Sequence, residues 1–174
     1  MIVSAVRETF PGERRVALVP ASIAGLVKLG CEVRIESGAG SAAGFADERY
    51  AEKGARIVSR DEALAADCLL QVRSLGANPR GGAADLQHFH AGQTVIGLCD
   101  PLGMPGEARA VAEKGVTLFS LELVPRISRA QSMDVLSSQA MVAGYRAALL
   151  AAIALPKMFP MMTTAAGTIT PARR

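Results

Sequence analysis

Residues 94–121, TVIGLCDPLGMPGEARAVAEKGVTLFSL, contain the pattern that decides the fold. Thr94–Cys99 and Val116–Leu121 are short apolar runs with the length and composition of buried strands, and Glu107–Lys114 between them has the spacing of a helix. A strand, a helix and a second strand in this order pair the two strands in parallel, because the helix returns the chain across the sheet. This stretch therefore predicts one unit of a parallel sheet.

The same alternation fills the preceding part of the chain. Helices are predicted from Pro20 to Gly30, over the polar residues 45–55 and at Asp61–Ala66, whereas the glycine- and proline-containing residues 74–82 and 158–170 are predicted to be loops. Four further strands are predicted at Met1–Val6, Cys31–Glu36, Ala55–Val58 and Cys68–Val72. Together these elements predict an α/β fold that is Rossmann-like (flavodoxin-like), with a mainly parallel sheet and helices on both faces.

Composition narrows the class of protein. The chain has 174 residues, enough for one well-buried domain but too few for two full nucleotide-binding domains. A net charge of +3 and scattered basic residues argue against a nucleic-acid-binding face. Three widely spaced cysteines favour buried thiols over disulfides or a zinc site. The longest apolar run, residues 147–156, is about half a membrane span, so no direct insertion into a membrane is expected.

Two local patterns resemble ligand sites but are expected to be structural. Gly38, Gly40 and Gly44 follow a predicted strand, but their spacing is G-x-G-x-x-x-G and not the dinucleotide fingerprint G-x-G-x-x-G. We interpret them as a connection between a strand and a helix. His88 and His90 have no third cysteine, histidine or carboxylate at the spacing of a metal ligand, so no metal site is predicted.

A dense polar segment precedes the longest helical pattern of the chain. Residues 125–145 read PRISRAQSMDVLSSQAMVAGY. The candidate ligand-binding side chains in this segment are Arg126, Gln131, Asp134, Ser137 and Ser138. If the helix begins near residue 132, the aspartate and the two serines share one face, close to backbone N–H groups that lack helical partners. Such a surface can orient a planar amide or a sugar through several hydrogen bonds.

Helix capping is the alternative explanation for these polar residues. Ser128-x-x-Gln131 has the form of a capping box, and an aspartate in a first turn interacts favourably with the helix dipole. Local pattern alone leaves both explanations open.

The chain resembles the NAD(H)-binding alpha component of proton-translocating NAD(P) transhydrogenase, in the alanine dehydrogenase/transhydrogenase superfamily. The resemblance spans the chain and is carried by ERRVALVP at 13–20, IESGAG at 35–40, PRISRAQSMDVLSSQ at 125–139, AGYRA at 143–147 and FPMMTTAAGTITPAR at 159–173. It implies an N-terminal α/β domain over residues 1–125. Residues 126–174 would supply a nicotinamide-contacting loop, a long C-terminal connecting helix and a linker to a Rossmann domain that this chain lacks.

The resemblance also implies roles for the polar residues. Arg126, Gln131 and Asp134 would contact the nicotinamide end of NAD(H) at the site of hydride transfer, and Ser137 and Ser138 would hold its carboxamide. In the complete assembly, NADH would pass a hydride to NADP⁺ on a partner component, and a membrane component would couple this transfer to proton translocation. The implied location is cytoplasmic and peripheral to the inner membrane through those partners, as a homodimer. The isolated chain is expected to bind NAD weakly and to be inactive.

Alanine dehydrogenase shares this domain plan and is the competing interpretation. Amino-acid oxidation requires a general acid/base and cations that hold the carboxylate. By resemblance, the catalytic Arg, Lys and His of that family align with Arg15, Gln71 and Asp100, so two of the three groups are absent. Hydride transfer between two nicotinamide rings instead requires aligned rings and exclusion of water. Gln71 also departs from the lysine usual in transhydrogenases, and a non-catalytic assembly role remains a third interpretation.

Overall fold

The computed structural model describes residues 1–172. Contacts divide the chain into two compact units, one from Met1 to Ile127 and one that begins at Ser128. The assignment of functional domains to residues 1–125 and 126–174 stays a prediction.

The first unit is built on a six-stranded sheet. The strands are β1 (Ile2–Ala5), β2 (Glu32–Glu36), β3 (Arg56–Val58), β4 (Cys68–Arg73), β5 (Thr94–Leu98) and β6 (Thr117–Ser120). Their spatial order is β3-β2-β1-β4-β5-β6, and every neighbouring pair is parallel. This is the strand order of the doubly wound Rossmann fold, so the predicted Rossmann-like fold class is confirmed.

Helices cover both faces of the sheet. They are α1 (Pro20–Lys28), α2 (Asp47–Ala51), α3 (Arg60–Leu64), α4 (Pro79–Leu86) and α5 (Pro105–Glu113). Successive side chains of a strand point to opposite faces. In β4, Leu69 accordingly packs in an apolar cluster with Leu64 of α3, whereas Leu70 packs against a second cluster that includes Ile23 of α1 and Tyr50 of α2. The two clusters form the core on either side of the sheet.

The loop predicted for residues 74–82 is wrong, because α4 begins at Pro79. Proline suits the first turn of a helix, and the Asn78 side chain caps this helix by accepting the N–H of Gly81 at 3.3 Å. Gly82 permits close packing, since a Cβ there would lie 2.6 Å from the Cα of Leu75. Glycine and proline are part of a packed helix here, whereas the sequence pattern indicated that they would interrupt regular secondary structure.

The second unit contains the 20-residue helix α6 (Val135–Ala154) followed by an antiparallel hairpin of β7 (Met162–Thr164) and β8 (Gly167–Ile169). The long C-terminal helix is as predicted, but the loop predicted for 158–170 is wrong. The hairpin closes because Gly167 adopts a φ of 131° and its carbonyl accepts the Thr164 hydroxyl at 3.0 Å. Within residues 1–172, no helix has the length and hydropathy to cross a membrane.

Candidate functional site

The predicted site residues occur on both sides of the division between the two units. Arg126 is exposed at the end of the first unit, where the N–H of Ile127 donates to the carbonyl of Pro125 at 2.9 Å. The other site residues belong to the second unit. There, Ser128–Met133 form a 3₁₀ helix in which Ala130 is buried, with 4% of its surface exposed. Gln131 lies on this 3₁₀ helix with an exposed side chain.

The start of α6 differs from the prediction. The helix begins at Val135, three residues later than expected, and Asp134 is its N-cap. One carboxylate oxygen of Asp134 accepts the backbone N–H of Ser137 at 2.9 Å, and the other accepts the Ser137 hydroxyl at 2.6 Å. The predicted capping function is therefore present, but Asp134 performs it. Ser128, in the capping box suggested by sequence, instead begins the 3₁₀ helix.

The structure brings three of the predicted residues together at this helix start. The Ser138 hydroxyl donates to the carbonyl of Val135 at 3.1 Å and to that of Asp134 at 3.4 Å. The side chains of Ser137 and Ser138 are exposed, and Asp134 is half-buried. Because carboxylate and hydroxyl oxygens can accept further hydrogen bonds, this helix start can meet the N–H groups of a primary amide.

The three positions aligned with alanine dehydrogenase lie in the first unit, and two of them are paired with carboxylates there. Arg15 is bound to Glu13, with nitrogen–oxygen distances of 2.7 and 2.8 Å. Gln71 is buried in β4 and donates to the Asp85 carboxylate at 2.8 Å. Asp100 is exposed after β5, with a φ of 48° that is uncommon for a residue other than glycine.

The structure reveals a set of carboxylates that the sequence analysis missed. Glu8, Glu36 and Glu122 accept backbone N–H groups at the carboxyl ends of strands. Asp85 is buried and held by two hydrogen bonds from Arg60, at 2.7 and 2.8 Å. The available signal was the position of glutamates at or just beyond the ends of apolar strands. It did not reveal their partners, which are distant in sequence.

The electrostatics of the first unit reflect these pairings. Hydrogen bonds from Arg15 lower the pKa of Glu13 to about 2, and Glu13 in turn raises the pKa of Arg15. Burial raises the pKa of Glu8, although it accepts backbone N–H groups of Val72 and Arg73, which oppose the increase. Burial also raises the pKa of the Cys99 thiol to about 12, so this thiol is a poor nucleophile.

The glycine cluster and the two histidines both lie in the first unit. The N–H of Gly38, in the glycine cluster, donates to the Asp47 carboxylate at 2.9 Å, which occupies a donor that a phosphate would need. His88 and His90 are both exposed. Within residues 1–172, no group of three or more histidine, cysteine, aspartate or glutamate side chains is arranged to hold a metal ion.

Comparison with known proteins identifies the family. Residues 4–143 match the family described as alanine dehydrogenase/PNT, N-terminal domain. The chain belongs to this family. It is 42% identical over 175 residues to the NAD(P) transhydrogenase subunit alpha of Cereibacter sphaeroides, an alignment that covers 99% of this chain and 32% of that protein.

Solved structures of this family have the same fold. The structure of a transhydrogenase from Sinorhizobium meliloti matches with a TM-score of 0.89 and 42% identity, covering 99% of this chain and 50% of the other. An L-alanine dehydrogenase matches with a TM-score of 0.78 and 26% identity, covering 88% of this chain and 40% of the other. The chain thus spans half or less of the length of these relatives. Its own sequence is more similar to the transhydrogenases.

Proposed function

We propose that this chain is the N-terminal, NAD(H)-binding part of a proton-translocating transhydrogenase, the assembly in which NADH transfers a hydride to NADP⁺. The observation that carries the proposal is the accessible helix start formed by Asp134, Ser137 and Ser138 within the segment that resembles the transhydrogenase signature. Family membership and the relatives that share 42% identity support it.

The side chains present suit the nicotinamide end of NAD(H). The Asp134 carboxylate accepts hydrogen bonds from N–H donors, and the hydroxyls of Ser137 and Ser138 can donate or accept. The exposed side-chain amide of Gln131 can also donate and accept hydrogen bonds. Arg126 would support the ribose or ring from the loop that precedes them. NAD(H), when bound, supplies the transferable hydride. The protein's part is to orient the ring and exclude water, and neither requires a protein proton donor.

An alanine dehydrogenase activity has less support. The residue aligned with its lysine is Gln71, an uncharged amide bound to Asp85, and the residue aligned with its histidine is Asp100. Arg15, the one catalytic group retained, is already paired with Glu13 at 2.7 Å. This set lacks the histidine and the lysine that amino-acid oxidation would use as general acid/base and carboxylate-binding cation.

The remaining parts of the proposal concern partners. NADP(H) would bind on a partner component, and a membrane component would couple hydride transfer to proton translocation. The chain would act as a homodimer in the cytoplasm, peripheral to the inner membrane through those components. Relatives named as subunit alpha support the presence of partner subunits. Large apolar side chains exposed on α6, including Met141, Tyr145 and Ile153, support self-association.

Reconstitution of the complete alpha component with its partner components tests the site. Hydride transfer would be measured in the reverse direction, from NADPH to an NAD⁺ analogue, for Gln131→Asn and Asp134→Asn. Asparagine is also an effective N-cap, so Asp134→Asn removes the charge while α6 keeps its start. We expect turnover to fall by about ten-fold in both variants, on the order of the loss of one hydrogen bond to the cofactor. Unchanged turnover in both would refute the site assignment.

Two further measurements separate the alternatives. Alanine- or pyruvate-dependent turnover of NAD would support the dehydrogenase interpretation and contradict ours. NADH titrated against this chain alone, and then with a Rossmann-domain partner, tests the assembly interpretation. We expect weak binding that the partner strengthens, whereas an assembly domain would bind the partner without any effect on NADH.

A further inference from the structure

The strand order of the first unit reverses between β1 and β4. β2 and β3 lie on one side of β1, and β4, β5 and β6 lie on the other. In doubly wound folds, ligands bind outside the carboxyl ends of the strands at this switch point, where separated loops leave a crevice. Here the position of such a crevice is between the residues that follow Ala5 and the end of β4 at Arg73.

The carboxylate of Glu8 occupies the backbone donors of this crevice. Its Oε1 accepts the N–H of Val72 at 2.6 Å, and its Oε2 accepts the N–H of Arg73 at 3.0 Å. Both donors lie beyond the last paired residues of β1 and β4, Ala5 and Leu70, where the pairing of β4 with β5 is also irregular. A carboxylate across two successive N–H groups is bound as an anionic ligand would be.

Guanidinium groups beside the crevice are paired as well. Glu13 binds Arg15 at 2.7 Å and Arg73 at 3.1 Å. Arg73 additionally stacks on Phe10, with 4.2 Å between its guanidinium carbon and the ring centroid. An incoming phosphate would therefore have to displace internal carboxylates from both the backbone donors and these cations.

Neighbouring strand ends are occupied in the same way. After β1, β2 and β5, the backbone N–H groups of Arg7, Gly38 and Cys99 donate to the carboxylates of Glu36, Asp47 and Glu122, at 2.8, 2.9 and 2.8 Å. With Glu8, internal carboxylates thus cap four adjacent strand ends. These carboxylates occupy the backbone donors that a phosphate at this edge would otherwise use.

We propose that Glu8 acts as a built-in anion that closes the switch-point crevice, so that the first unit binds neither phosphate nor a free carboxylate there. The inference rests on the proposed function, which identifies the dinucleotide as NAD(H), and it refines that function. The chain recognises NAD(H) from its nicotinamide end through residues 126–138. The carboxyl-end edge of the first unit's sheet then contributes no phosphate contact, although the sheet has the Rossmann strand order.

Removal of the Glu8 carboxylate should open a site that fits acetate. Glu8→Ala deletes a group of that size, and we expect its melting temperature to fall in chloride and to rise saturably as acetate replaces chloride at constant ionic strength. The melting temperature of Glu8→Gln should also fall, but acetate should not restore it, because the amide fills the space that acetate would occupy. Glu32→Ala is the matched control, since Glu32 is exposed and pairs with Arg34. Wild type and this control should respond to acetate equally and weakly.

A second measurement uses the wild-type chain and so does not depend on whether a variant folds. In the wild-type chain, the amide resonances of Val72 and Arg73 should not shift when inorganic phosphate or AMP is added. Saturable shifts there, or a folded Glu8→Ala variant that acetate neither binds nor stabilises, would overturn the inference. These probes contain no nicotinamide and involve no hydride transfer. Their outcome is therefore independent of the outcome of the transhydrogenation experiment.

Discussion

Asp134 and Ser137 are joined by two hydrogen bonds: the carboxylate of Asp134 accepts both the backbone N–H and the side-chain hydroxyl of Ser137, at 2.9 and 2.6 Å. The pair therefore starts α6 and presents polar atoms at its exposed end. A capping role and a ligand-binding role are compatible here, because a carboxylate oxygen has more than one lone pair available. The two roles can be separated by substitution.

Asp134→Ala should destabilise the start of α6 by about 1 kcal/mol, the usual cost of losing an N-cap. Hydrogen exchange of the Ser137 amide measures this directly, and we expect its protection to be lost in the alanine variant. Asp134→Asn should keep that protection because its side-chain oxygen still accepts the N–H. An alanine variant with unchanged exchange would show that the cap does not hold in solution.

The acid sensitivity of the first unit should depend on Glu13. Its pKa is about 2 when folded, against about 4.5 when unfolded, because Arg15 hydrogen-bonds to the carboxylate. A lowered pKa stabilises the fold above pH 4.5, and this contribution is lost as the pH falls towards 2. Allowing for solvent screening, it amounts to about 1–2 kcal/mol.

Urea unfolding at pH 7 and pH 3 measures that contribution. Glu13→Gln should be less stable than wild type at pH 7, and the difference between the two should shrink at pH 3. The control is Glu113→Gln, since Glu113 pairs with Arg109 on an exposed face of α5. A difference between wild type and Glu13→Gln that stays constant with pH would contradict the assigned pKa.

Within residues 1–172, the buried side chain of Gln71 has one polar atom with a hydrogen-bond partner and one without, and it lies beside a carboxylate. Its Nε2 donates to Asp85, but its buried Oε1 has no hydrogen-bond partner among the described residues. The adjoining carboxylates of Asp85 and Glu36 share Arg60. Gln71→Lys would remove the unpaired acceptor, whose burial costs about 1–3 kcal/mol, and add a cation beside Asp85.

We expect Gln71→Lys to raise the free energy of unfolding at pH 7. Gln71→Met is the matched control, since it removes the same oxygen but brings no cation, and it should be the less stable of the two variants. Denaturant titration distinguishes them. A lysine variant less stable than the methionine variant would show that desolvation of the ammonium outweighs its attraction to Asp85.

Glycine substitutions should have opposite effects in two helices of the first unit. Gly82→Ala places a Cβ 2.6 Å from the Cα of Leu75 and should cost about 1–3 kcal/mol through overpacking. Gly25→Ala in α1 meets no atom within 4 Å and should stabilise the helix by about 0.5–1 kcal/mol. Melting temperatures measure both effects. Equal effects of the two substitutions would contradict the close packing of α4 on Leu75.

The three cysteines should differ in reactivity towards a thiol reagent. Cys99 is 2% exposed with a pKa of about 12, and burial also raises the pKa of Cys68, which is 9% exposed. Cys31 is more accessible. We expect one thiol to react in the folded chain and three in denaturant, with Cys31 identified by mass spectrometry. Reaction of Cys99 before unfolding would show that the end of β5 opens.

Local pattern predicted the regular elements best where helices and strands alternate. The strands near Thr94 and Val116 and the helix between them occur close to their predicted positions. The failures involve residues whose role depends on neighbours: Pro79 and Gly82 belong to a packed helix, and Gly167 closes a hairpin. The start of α6 was misplaced because several adjacent polar residues could each have capped it.

The polar segment at 126–138 was recognisable from sequence because its residue types and spacing are unusual. Its assignment to the nicotinamide site remains a prediction, although the structure places Asp134 beside Ser137 and leaves the hydroxyls of Ser137 and Ser138 exposed. Sequence reasoning did not anticipate that Asp134 would be the N-cap. That outcome depends on the exact residue at which the helical hydrogen bonds begin.

The amino-acid sequence by itself determined the six strands of the sheet, most of the helices between them, the resemblance to the family and the segment that bears the candidate site, because periodicity and residue type are local properties. Only the tertiary structure showed that Glu8 binds the N–H groups of Val72 and Arg73, 64 and 65 residues away, and that Gln71 is bound to Asp85. Such pairings form when folding brings strand ends together. No local pattern specifies which buried donor a given carboxylate will meet.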